Sequence, residues 1–468
     1  MAHKFDLTLV IIYLIVTMLV GIWSSRKAKT LEEYAVGNRN FPTIVLVMTI
    51  CATWLSGSGT INISEQVFRV GIIYIVITFA QSIGQLLVAY IFAPRLKEFQ
   101  QKCISVGDVM ASIYGKPSGI ISGIAGLILS AGFIAAQIKA MSFVLSYFLG
   151  INNLAGVLIS SLITVMYSVI GGVRAVTYTD VVQFIALTVA IPMVLNVGVD
   201  IIGGYNELIA KIPPHMLTIE LSHENIIKFL PLMIYFTIPT FNPPLMQRML
   251  MARNIEQIAV SFKITAFVLM GYHLVAGLIG LVAYALNPEL TSNHAIIFII
   301  DQYLPVGMKG VAVIGMLSVI MSTADSYLNA GAVSFVHDSI KPLVNISEKT
   351  ELGLSKFITL VMGVVAIYMA LSFDNLLAII LFSQQFWGPI IAIPLIFGLL
   401  GFRTRPAALY TAMIAGMALH LLWRLYELDR VIGIPSLIPA YVLSSLTLFG
   451  TNVILKMLHK NQKTISIS

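Results

Sequence analysis

Thirteen apolar segments, each long enough to cross about 30 Å of hydrocarbon in roughly 20 residues, leave this chain few ways to fold. They fall at 6–24, 42–68, 71–93, 119–148, 152–170, 176–199, 227–246, 255–286, 306–336, 354–372, 375–401, 405–425 and 434–457. In lipid every backbone polar group has to be satisfied internally, so such a chain folds as a helical bundle. Composition agrees: of 468 residues, 58% are hydrophobic and only 10% charged, with a mean hydropathy of +0.92. We therefore expect an all-α polytopic membrane protein with thirteen transmembrane helices. No Pro- or Ser-rich linker, charge block or low-complexity tract interrupts it, so 1–468 reads as a single membrane domain.

The formal charge of +7 does not describe a nucleic-acid footprint, because the 28 Lys and Arg stand singly between apolar runs. They read as topology signals. An odd number of spans puts the termini on opposite sides. Loops after the odd-numbered spans, with the C-terminus, hold 19 of the 28, among them Arg26, Lys27, Lys29, Arg39, Arg95 and Lys97. The positive-inside rule then places the N-terminus outside and "KMLHKNQKTISIS" in the cytoplasm of a plasma (inner) membrane protein. The first segment is preceded by "MAHKFD" and followed by "SSRKAKT" instead of a small-residue cleavage site, so it is expected to be a retained span. Cys51 and Cys103 are too few for a disulfide framework and lack metal-ligand spacing.

Two spans carry breaks. The second reads "TICATWLSGSGTINIS", with Ser56, Gly57, Ser58, Gly59 and Thr60 at mid-membrane, where each glycine costs about 1 kcal/mol relative to alanine. The seventh reads "YFTIPTFNPPLMQR", where Pro239, Pro243 and Pro244 bracket Phe241 and Asn242 and each removes a backbone donor. Irregular backbone at membrane depth is tolerated only where it is buried in protein or lines a cavity. Breaks five spans apart fit two inverted five-helix repeats and point to a transporter's binding site. Simple structural kinks are the alternative.

The ninth span, "GMLSVIMSTADSYLNAGAVSFVHD", lines Ser318, Ser322, Asp325, Ser326 and Asn329 along one helical face. Hydroxyls can serve as glue between helices. A carboxylate near the bilayer centre costs at least ~3 kcal/mol and needs a partner, a cation or a proton. Asp180, near the start of the sixth span, is a second acid, with Arg174 as a candidate partner. Hydroxyls, carboxylates and carbonyls are hard oxygen ligands that suit Na+ better than zinc or copper. We find no nucleophile–base pair, metal cluster or phosphate loop, and no enzyme is expected. His273, His420 and Lys263 read as packing or interface residues, and "NIS" at 345–347 falls on the predicted cytoplasmic side.

The stretches "YAVGNRNFPTIVLVMTICATWLSGSGTINISEQ" (34–66), "YSVIGGVRAVTYTDVVQF" (167–184), "PPLMQRMLMARN" (243–254) and "MSTADSYLNA" (321–330) resemble the sodium:solute symporter family, nearest its high-affinity choline transporter branch. The resemblance implies a LeuT-type 5+5 inverted repeat, with one extra N-terminal helix (6–24), repeats at 41–200 and 227–401, and two extra C-terminal helices (405–458). It implies a sodium site from the carbonyls of Ala52, Leu55 and Val319 with the hydroxyls of Ser322 and Thr323. A second site, present in some members, maps to Asp180, Ser322, Asp325 and Ser326. The solute would lie near Trp54, Ser56, Gly57, Gln137, Phe241 and Asn242.

A quaternary ammonium wants an aromatic cage, and the fourth span offers Ile134 where the choline branch has tryptophan. The same span carries Lys139, which either pairs with an acid or meets an anionic group on the solute. The expectation is a symporter that couples Na+ to uptake of a zwitterion such as proline or betaine, of choline, or of a small carboxylate, working as a monomer with sodium, solute and lipid as partners. Proton coupling through Asp180 and Asp325, or an ion-gated sensor or channel, are the alternatives.

Overall fold

The computed structural model describes residues 4–25, 30–220, 222–373 and 376–465. Arg26, Lys27 and Lys29, which entered the topology expectation, lie outside the described residues. Among the described residues the fold is helical throughout. Ten helices are long and apolar enough to span a membrane, or eleven when one bent pair counts as a span. Two further apolar stretches, Asn153–Met166 and Asn225–Thr237, are shorter.

The helices that position the site are α1 (Lys4–Ser25), α2 (Thr43–Trp54), α3 (Gly57–Val70), α4 (Ile73–Leu87), α5 (Lys116–Leu149), α6 (Asn153–Gly171), α7 (Val173–Ile202), α8 (His223–Thr237), α9 (Pro243–Leu250), α10 (Ile255–Leu286), α11 (Met308–Ser334) and α12 (Glu348–Ser372). A final pair, α13 (Pro406–Leu425) and α14 (Leu437–Ile465), packs side by side. α11 is the centre of the bundle: 89% of its most apolar window is buried, against 28% for α1. It packs chiefly against α5 and α7, and α1 lies across both α7 and α11. A polar stripe is tolerable there because it faces protein and not lipid.

Both expected breaks are present. α2 and α3 meet at 57°. Ser56 caps α3 by accepting from the Gly59 amide at 2.9 Å, as serine does at helix starts. Gly57 allows the close approach there, since a Cβ on it would come within 2.0 Å of the Ile320 side chain on α11. At the other break, α8 ends at Thr237 and α9 begins at Pro243. Pro243 and Pro244 occupy the first turn of α9, where a missing amide hydrogen costs nothing. Phe241 adopts a left-handed backbone (φ 46°), a strained conformation for a bulky residue.

A candidate ion and solute site at the two breaks

At the first break the backbone releases a carbonyl. The Ser56 amide donates to Trp54 O (2.9 Å) and not to Ala52 O, which instead accepts from Ser322 Oγ at 2.9 Å. Ser322 and Thr323 also reach Val319 O, each at 3.2 Å. Four of the five expected sodium ligands therefore converge, and Leu55 follows directly at the C-terminal cap of α2. All five are buried. Hydroxyls and carbonyls, without nitrogen or sulfur, make a hard donor set.

The residues expected at the second sodium site are arranged differently. Asp180 faces Arg248 (Nη2 to Oδ2, 3.3 Å), both side chains fully buried. The same nitrogen donates to Ser326 Oγ at 2.6 Å, and Nη1 donates to Gln247 Oε1 at 2.8 Å. Thr49 of α2 also hydrogen-bonds Asp180. Gln247 in turn donates to Asn329 Oδ1 (3.0 Å) and Ala35 O (2.8 Å). Arg174, the sequence candidate for pairing Asp180, sits instead 3.8 Å from Glu33. A guanidinium thus stands between Asp180 and Ser326, and Asp325 accepts from Thr179 Oγ1, the neighbour of Asp180 on α7, at 3.5 Å. Hydropathy did not mark Arg248, because it falls just past the seventh apolar segment and reads as one more loop cation.

Of the residues expected at the solute, Gln137 clamps the start of α3, accepting from Ser58 N (3.3 Å) and donating to Ser58 Oγ (2.8 Å). Asn242 caps α9 through Leu245 N (3.0 Å) and donates to the Tyr327 hydroxyl of α11 (3.0 Å). Tyr327 stacks on Phe133 with ring centroids 4.4 Å apart, and Phe241 meets Phe92 edge-on at 5.0 Å. The indole nitrogen of Trp54 is buried without a hydrogen-bonding partner. Lys139 is turned to the C-terminal end of α12, donating to Ala370 O (3.2 Å) and Phe373 O, a favourable place for a cation.

The family model for sodium:solute symporters matches residues 34–416. A high-affinity choline transporter of Caenorhabditis elegans is 26% identical over 80% of this chain and 70% of its own length. The sodium/pantothenate symporter of Escherichia coli (strain K12) is 24% identical over 94% of this chain and 96% of its own. In fold, the chain is similar to the substrate-bound, outward-open state of a Na+-coupled sialic acid symporter, with TM-score 0.82, 19% identity, and 97% and 98% of the two chains covered. The two sequence relatives are transporters, not enzymes. With four fifths of its length matched by one family and a broken-helix geometry of the same fold, this chain belongs to the sodium:solute symporter family.

Proposed function

We propose that this protein imports a small polar organic solute together with Na+ by alternating access, and that Ala52, Leu55, Val319, Ser322 and Thr323 hold the coupling ion. One observation carries the reading: the carbonyl freed at the first break is met by Ser322 of α11. An ion there ties α2 to α11, and coupling follows if one conformation binds it more tightly than the other. In this reading the chain is a monomer of thirteen spans, its two shorter apolar helices included, with an outside N-terminus and a cytoplasmic C-terminus. Its repeats run over 41–200 and 227–401, flanked by one extra helix (6–24) and two more (405–458).

The solute lies between the breaks, near Trp54, Ser56, Gly57, Gln137, Phe241 and Asn242. The aromatic rings beside the second break favour a cationic head group, choline or betaine. Engagement of Lys139 by carbonyls argues against a simple carboxylate. The test is thermal stabilisation of purified protein by choline, betaine, proline and small carboxylates in NaCl and in KCl. Choline or betaine should raise Tm only in sodium; an equal rise in potassium refutes the coupling.

A further inference from the structure

Past Ser334, α11 widens into a π turn, Phe335–Ile340, a distortion frequent at functional sites. This turn presents His337 and Asp338 to the short helix Val106–Tyr114 and to the first turn of α12. His337 Nε2 lies 3.2 Å from Asp108 Oδ1, and Nδ1 lies 2.7 Å from Glu351 Oε1. Gly107 permits the close approach, since a Cβ on it would come within 2.2 Å of Asp338 Cγ. One ring nitrogen of His337 and a carboxylate oxygen each from Asp108 and Asp338 thereby fall within 4.8 Å of one another.

The surrounding groups orient these three side chains. Glu351, fully buried, takes the far nitrogen of His337; this fixes the tautomer that leaves Nε2 as a lone-pair donor facing the carboxylates. Ser105 and Ser334 hydrogen-bond the two oxygens of Asp338, and the Ile104 amide donates to Asp108 Oδ2 at 2.9 Å.

Charge points the same way. Two carboxylates sharing one site repel each other. Against Asp108, Asp338 and Glu351 stands Lys341, 2.9 Å from Glu351 Oε2, whereas Arg39 is engaged by Glu32 and by the carbonyls of Gln100 and Cys103. A proton on the imidazole leaves this network with an excess negative charge. A divalent ion in place of that proton brings the three acids, Lys341 and the ion to neutrality.

We infer that His337, Asp108 and Asp338 bind a divalent transition-metal ion of the Zn2+ class, with Glu351 orienting the histidine. An imidazole with two carboxylates suits such an ion better than Mg2+ or Ca2+, which take oxygen ligands. The site lies at the end of α11 that the proposed topology makes cytoplasmic, and it is independent of sodium coupling. An ion there ties the helix Val106–Tyr114 to α11, which carries Ser322 and Thr323.

The experiment titrates the tag-free, full-length chain, stripped of metal with EDTA, with Co2+ followed by visible absorption and with Zn2+ followed by thermal denaturation. Mg2+ is the control. The wild type should take up Co2+ saturably at one ion per chain, and Zn2+ should displace it. Tm should rise with Zn2+ and not with the same concentration of Mg2+. His337→Gln and Asp338→Asn should abolish the Co2+ bands, and Glu351→Gln should weaken binding about 10- to 100-fold. His215→Ala, at an exposed turn, should change nothing. If the cluster is instead an ionic lock, with an imidazolium bridging Asp108 and Glu351, the wild type shows no saturable Co2+ binding, and the inference is overturned. Binding that survives in His337→Gln, or an equal rise in Tm with Mg2+, overturns it as well. The wild-type titration decides by itself, so a variant that fails to fold does not blunt the test.

Discussion

The Ser322 hydroxyl lies 2.9 Å from the Ala52 carbonyl, at the turn where the Ser56 amide has left that carbonyl for Trp54. A contact 270 residues apart in sequence thus replaces a bond within one helix, and it is the point where ion and conformation meet. Removing a hydrogen-bonding group from a charged ligand costs roughly 1.5–3 kcal/mol, or about 10- to 100-fold in affinity. Ser322→Ala and Thr323→Ala should each raise the sodium concentration for half-maximal stabilisation by that factor. Unchanged sodium dependence in both would place the ion elsewhere.

Gly57 and Ile320 set how closely the broken helix approaches α11. Gly57→Ala forces a Cβ to within 2.0 Å of Ile320 Cγ1, and overpacking of this kind costs about 1–3 kcal/mol. Adding Ile320→Ala removes the opposing atom, so the double variant should lose less stability than the sum of the singles. Strictly additive losses in thermal denaturation would show that the two do not touch.

Arg248 and Asp180 are each other's buried counter-charge. Breaking such a pair from one side costs about 3–5 kcal/mol, because the other charge stays buried. Arg248→Met and Asp180→Asn should therefore each be strongly destabilising, and their combination milder than either. Arg248→Lys should not rescue, since an ammonium cannot reproduce contacts to Asp180, Ser326 and Gln247 made from two guanidinium nitrogens. A fully stable Arg248→Met would argue that the guanidinium is not needed in the core.

Lys139 separates two accounts of solute recognition. If it serves the end of α12, Lys139→Met lowers thermal stability while KM for the transported solute changes less than about threefold, under 1 kcal/mol. A KM that rises tenfold or more for carboxylate-bearing solutes alone would make Lys139 a solute ligand after all.

Much of this architecture is legible in the sequence because bilayer physics is strict. Apolar length fixes the helices, and the glycines at 57 and 59 and the prolines at 239, 243 and 244 mark the breaks. The stripe on α11 announces itself because Asp325 has no place in lipid. What stayed hidden are partners brought in from far along the chain. Arg248 looks like a loop cation until α9 tucks it beneath Asp180. Tyr13 is an ordinary member of an apolar helix until α1 is laid across α7 and α11 and its hydroxyl accepts from Ser318 at 2.7 Å.

The most direct test of the account is solute uptake into proteoliposomes under an inward sodium gradient, compared with an inward proton gradient in sodium-free medium. The account predicts that choline or betaine accumulates only with the sodium gradient, and that Ser322→Ala shifts the sodium dependence to higher concentration. Equal accumulation driven by the pH gradient with no sodium present would contradict it.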